Sequence, residues 1–293
     1  MSIILEVLQI VAPVFILAAI GFIWVKLGGE YRVQFVTRLA MTLSVPCLIF
    51  VSLMKTSIDP AALSELVVAS VVSYALLTLV VFAIVKLAGL EVRTFLAPLI
   101  FGNTGNLGMP LALFAFGETG LGYAVVIFAV MAVISFTFGI WLVSGGGGFA
   151  KTAKEPMVGA TLLGILFLYM DWTTPVWVTN TLELIGQMAI PLMLITLGVA
   201  VARLHPAGFI RPLVLSVVKI AVAIGIAVPV GVWFELAAIP FAVLVLQLST
   251  PVAVTSYLLA EKYKADAEAV AGLVVMSTLI SVLTLPVTLA FLL

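Results

Sequence analysis

The chain has 293 residues, of which 64% are hydrophobic and 9% charged, and its formal net charge is zero. Soluble domains carry about 25% charged residues. So little charge cannot cover a water-facing surface, which excludes a soluble enzyme and a nucleic-acid-binding domain. The composition is that of an all-α membrane protein with many spans.

One helical span needs ~20 apolar residues, so ten spans use about 200 and leave only short loops. Apolar runs between charge and turn signals predict ten spans, at 4–25, 36–54, 63–87, 95–117, 121–143, 157–171, 177–201, 211–234, 238–260 and 268–292. The start of the chain has no Lys or Arg between Met1 and Glu6, and its apolar run is too long for a signal-peptide core. It reads as the first span. With ten spans both termini share one side, and that side holds a single basic residue, Lys55. The other holds Lys26, Arg32, Arg38, Lys86, Arg93, Lys151, Lys154, Arg203, Arg211, Lys262 and Lys264. This bias makes the basic side cytoplasmic and puts both termini outside.

The two halves resemble each other. Pro46, Pro110, Glu118 and Met131 recur in order as Pro191, Pro251, Glu261 and Met276, at offsets of 141 to 145 residues. A five-span repeat inserts its second copy upside down. The expectation is two inverted repeats, 1–143 and 157–293, joined by a cytoplasmic linker over 144–156. Inverted repeats with paired broken helices are a secondary-transporter architecture. The linker's Gly145–Thr152 run is a near-match to a phosphate-binding loop, but Ala150 stands where that loop needs glycine. It reads as a flexible connection.

The fourth span carries G-N-T-G-N-L-G-M-P over 102–110, deep in the apolar run. Proline cannot donate to the helix ladder, and unwound backbone in a bilayer must be buried in protein or line a wet cavity. Asn103, Thr104 and Asn106 offer polar groups there, and Gly105 and Gly108 permit the unwinding. The half-helix after the break, expected near Pro110, aims its positive end into the gap, which suits an anion. The ninth span is interrupted in the same way by Gln247, Ser249, Thr250 and Pro251. These ten residues form the candidate substrate site. Lys219, deep in the eighth span, is a candidate for an anion or coupling role, against a structural pairing to a backbone carbonyl. Glu118 and Glu261, matched after the two breaks, are candidates for coupling, against plain solvation at helix ends.

The remaining acids fall at loops or span edges by these boundaries, so an intramembrane aspartyl protease and a paired-aspartate antiporter do not fit. His205 is the only histidine, and Cys47 the only cysteine. No catalytic residue, metal or cofactor is expected.

The motifs over 102–110 and P-V-A-V-T-S-Y-L-L-A-E-K-Y over 251–263, with L-P-V-T-L over 285–289, resemble the auxin efflux carrier family. That group includes plant PIN proteins and bacterial malonate or malate permeases. The resemblance covers essentially the whole chain. It implies a fold shared with bile-acid sodium symporters and sodium/proton antiporters, and a dimer. It also implies a scaffold of spans 1, 2, 6 and 7 and a transport domain of spans 3–5 and 8–10. The family's crossover asparagine and proline match Asn103 and Pro110, with Pro251 at the second crossover, and members bind a carboxylate near the crossing. This chain lacks the long cytoplasmic loop of many plant members. It offers only Ser70 and Ser73 where those carry an acidic residue in the third span. The short loop favours a small organic anion. The expected function is elevator-type secondary active transport of carboxylates such as malonate or malate, or auxin-like acids, across the cell membrane. Coupling to protons or sodium is left open. The rivals are a bile-acid-type sodium symporter and a channel.

Overall fold

The computed structural model describes residues 3–55, 60–144, 156–204 and 208–293. Most of the expected linker, residues 145–155, and His205 lie outside the described residues. Among the described residues the fold is all helical, with one isolated antiparallel bridge and no strand. Among those residues seven helical runs are long and apolar enough to cross a membrane, and two shorter apolar helices, Gly159–Tyr169 and Ala238–Leu248, accompany them. Large apolar side chains such as Ile16, Leu79, Leu162, Val214 and Leu283 are exposed on the outside of the helices. That surface is suited to lipid, not water.

Helix α1 (Ile3–Lys26) is followed by α2 (Val33–Leu39), a π-helical turn over Ala40–Ser44 and α3 (Val45–Lys55). Pro46 explains the turn. It has no N–H to donate, and the wider π turn before it absorbs the lost ladder bond. Next come α4 (Pro60–Leu87) and α5 (Val92–Ile100), the first break, and a π turn over Thr104–Gly108. Helix α6 (Met109–Ile134) leads through a third π turn (Ser135–Gly139) into α7 (Ile140–Ser144). Gly117 divides α6 with φ 64°, ψ −159°, a conformation that side chains with a Cβ rarely adopt. This kink falls where the fourth expected span ends.

The second half runs through α8 (Pro156–Tyr169), α9 (Val176–Gln187), α10 (Ala189–Arg203), α11 (Ile210–Trp233), α12 (Ala238–Leu248), α13 (Val254–Lys262) and α14 (Ala267–Leu292). Helix α1 packs along α10, and α3 packs on α8 and α9. Separately, α4, α5, α6, α11, α12 and α14 pack on one another. The α1–α10 pair is unusually close. A Cβ on Gly21 would land on the carbonyl oxygen of Ile195, and one on Gly198 on that of Ala18. Small residues let helix backbones approach in this way. Hydroxyls inside the helices mostly bond back one turn, as Ser70 does to the Leu66 carbonyl and Ser216 to that of Pro212.

Candidate functional site

Both helices break, and the breaks meet. Phe101 to Asn103 and Pro251 to Ala253 run antiparallel past each other, with Gly102 opposite Val252. The Asn103 amide donates to the Pro251 carbonyl at 2.6 Å, and the Ala253 amide donates to that of Phe101 at 3.3 Å. The Val252 amide donates to Ser277 Oγ at 3.0 Å. Unwound backbone is thereby satisfied by the other break, which buried peptide groups require. A Cβ at Gly102 would run into Thr250 Oγ1, and one at Gly108 into Gln247 Oε1. At both glycines the space of a side chain is taken by a residue of the second break.

The unwound stretch is shorter than expected. Helical bonding resumes at Thr104, where the Asn103 carbonyl accepts from the amides of Leu107 and Gly108, both at 3.1 Å. Pro110 is the second residue of α6 and does not begin the half-helix. A π turn directly before it takes up the missing donor, as before Pro46. In the second break α13 begins at Val254, three residues after Pro251. The positive helix ends at the crossing therefore belong to Thr104 and Val254, next to the bridge, and the negative ends to α5 and α12.

Asn103 is 5% exposed, and Thr104, Gln247 and Thr250 are fully buried. Three atoms in this group have no hydrogen-bond partner among the described residues: Asn103 Nδ2, Thr104 Oγ1 and Gln247 Oε1. Buried polar atoms are nearly always paired, so the crossing holds spare capacity for both a donor-seeking and an acceptor-seeking group. The Gln247 amide reaches only the Ala124 carbonyl, at 3.4 Å. Ser249 and Thr250 hydroxyls bond back to Leu246 and Gln247, at 2.9 and 2.7 Å. Asn106 and Gly105 line a cavity of about 50 Å³ with Met41, Phe128 and Thr255. Asn106 also borders one of about 30 Å³ beside Thr37 and Thr196.

Lys219 lies near the middle of α11, is 1% exposed, and donates from Nζ to the Thr250 carbonyl at 2.7 Å. Glu118 and Glu261 are not brought together. Both are exposed; Glu118 follows the Gly117 kink, and Glu261 sits in the last turn of α13.

Glu118 belongs to a feature that the sequence reading missed. A cavity of about 690 Å³ lies between α3, α6, α9 and α10, lined by Ser52, Lys55, Leu113, Glu118, Glu183 and Gln187 among others. Lys55 forms an ion pair there with Glu183. Glu183, read from sequence as a span-edge acid, is the eighth residue of α9 and part of this wall. The available signal was an acid one turn before Gln187 in an apolar helix, with a lone lysine on the same side. Because the pair is half exposed, Glu183→Gln is expected to cost less than about 1 kcal/mol of stability, read as a thermal midpoint in detergent. At the other end of the fold, Arg93 ties three elements together. Its Nε donates to the Val143 carbonyl at 2.6 Å and its guanidinium to that of Tyr263. Outside the spans, burial pushes the Tyr31 phenol up, partly offset by its hydrogen bond with Thr196. Among the described residues no group of three or more His, Cys, Asp or Glu could hold a metal.

A helical fold with apolar outer faces, with a paired break where two helices cross, is that of an α-helical membrane protein. The sequence matches the membrane transport protein family over residues 6–149 and 146–289. The chain belongs to this family, the auxin efflux carrier family to which its crossover motifs point. It is similar to an uncharacterized transporter of Methanothermobacter thermautotrophicus, 27% identical over 95% of this chain and 96% of that one. A Rhizobium meliloti protein named "Putative malonate transporter" is 25% identical over 95% of this chain and 93% of its own. An uncharacterized transporter of Methanocaldococcus jannaschii is 23% identical over 95% and 96%.

Proposed function

We propose that this protein is a secondary active transporter of small carboxylates that binds its substrate at the crossing of the two breaks. The observation that carries this reading is Asn103 Nδ2, a buried amide donor with no partner, at the start of a helix whose positive end faces the same gap. A carboxylate supplies the acceptor that this donor lacks, and positive helix ends favour it. The similarity to a protein named for malonate supports a dicarboxylate as the first substrate to test.

The rest of the proposal follows the internal repeat. Ten spans form two inverted repeats; α1, α2–α3, α8 and α9–α10 are the scaffold, and the remaining helices the moving transport domain of an elevator. Packing of α1 on α10 and of α3 on α8 and α9, set against the α4–α11–α12–α14 group, supports that division. The working unit is a homodimer with both termini outside the cytoplasm. In this assignment Asn103, Thr104 and Asn106 meet the substrate, while Gly105, Gly108, Pro110, Ser249 and Pro251 shape the breaks. A second reading is sodium-coupled symport, favoured by the unpartnered oxygens Thr104 Oγ1 and Gln247 Oε1.

Reconstituted proteoliposomes test both. The expected result is saturable uptake of labelled malonate, accelerated by unlabelled malonate trapped inside. A linear, unsaturable flux would instead mean a channel and would overturn the carrier. Uptake that vanishes when sodium is replaced by choline selects the second reading.

A further inference from the structure

Lys219 is an ionisable side chain in a place where charges are expensive. It sits in the middle of α11 at 1% exposure, and among the described residues no carboxylate pairs with it. Its one acceptor is the carbonyl of Thr250, the second residue past the end of α12, where a helix presents its negative pole. The next carbonyl along, that of Pro251, accepts from the Asn103 amide. Thr250 also presses on Gly102. The ammonium is thus tied to the peptide that forms one side of the crossing. Tyr74, from α4, approaches the other side, its ring 6.3 Å from that of Phe101 and its hydroxyl buried without a partner.

An ammonium has three donors, and one carbonyl uses one. A neutral donor, such as the amide of glutamine, could hold that carbonyl equally well without the cost of burying a charge. The charge is in excess of what the hydrogen bond needs. What it supplies, when protonated, is a positive charge at the crossing, in surroundings where water does not screen it.

We propose that Lys219 is the resident positive charge of the crossing and a specificity-determining residue, setting a preference for doubly over singly charged carboxylates. This inference rests on the carboxylate reading of the site. A dianion interacts with a fixed cation more strongly than a monoanion of the same shape, and a neutral donor makes no such distinction.

The test uses the purified full chain and two probes of nearly equal size, malonate and its half-amide malonamate, with binding followed by calorimetry. Wild-type protein is expected to bind malonate at least about tenfold more tightly, or about 1.4 kcal/mol. Lys219→Met keeps the unbranched stem as far as Cε. Lys219→Gln keeps a donor for Thr250. Both are expected to lose that ratio, with malonate weakened about tenfold and malonamate within about twofold. If Lys219 were only structural, Gln would restore both affinities, and that result would overturn the proposal. So would a wild-type ratio near one, which needs no variant to fold. Absence of binding of either anion to the wild-type protein overturns the carboxylate reading itself, and this inference with it.

Discussion

Asn103→Ala should reduce the initial rate of malonate uptake about a hundredfold while the protein remains folded. The two halves of this expectation have separate physical grounds. Hydrogen bonds to a charged group are worth about 1.5–3 kcal/mol each, and the amide nitrogen has two protons to give, so losing it costs substrate binding about that much or more. Stability is different. Among the described residues Asn103 Nδ2 has no hydrogen-bond partner. Removing it breaks no pairing, and the bonds that build the crossing come from the backbone of the same residue, which alanine keeps. The thermal midpoint should therefore stay within a few degrees. Wild-type uptake by Asn103→Ala vesicles would show that the substrate binds elsewhere.

The largest effect on stability is expected at the contact between α1 and α10. Gly198→Val places a branched side chain against the backbone carbonyl of Ala18. A flexible neighbour could move aside, but a helix carbonyl cannot move without the whole of α1. The two helices must separate, at a cost of about 3 kcal/mol from strain. Gly225→Ala is the internal control. It lies in α11, and nothing stands within 4 Å of an added Cβ. It should be neutral, or more stable by about 0.5–1 kcal/mol through helix propensity. Melting both variants in one detergent decides the matter. If Gly198→Val melts with the wild type, the close contact between α1 and α10 is not what holds them.

The contrast between these two glycines marks how far a sequence can be read. Charge scarcity and apolar run length were enough for a helical membrane protein, and the Gly102–Pro110 motif was enough to locate the first break. Proline and glycine act locally, so their consequences are legible where they stand. What the motif did not disclose was which residue resumes the helix. Pro110 looked like the start of the half-helix because it cannot donate. The π turn over Thr104–Gly108 absorbs that defect and moves the start to Thr104. The partner of each break was legible only as a matched position. The bond between Asn103 and Pro251 depends on how α5 and α12 cross, which no local rule dictates. Lys219 was legible as an anomaly, and its acceptor, one carbonyl out of many, was not. The Lys55–Glu183 pair and the cavity around it escaped for the same reason. They are made where α3 meets α9, and a boundary drawn on hydropathy assigned Glu183 to an edge.

The large cavity has one further consequence, for the electric field. It reaches from the helix ends near Lys55 and Glu118 down to Leu113, three residues from Pro110 and about 4.5 Å along the helix. Water filling such a cleft carries the potential of its own side inward with little drop. The two cavities that Asn106 itself lines hold only about 30 and 50 Å³. In the ten-span arrangement proposed above, the membrane voltage is concentrated between the cavity floor and the basic face, with the crossing inside it. A charge passing that stretch works against most of the ~2.3 kcal/mol per 100 mV that a full bilayer imposes. Voltage dependence is therefore expected to reside in the step at the crossing, and diffusion along the cleft should be almost free of it.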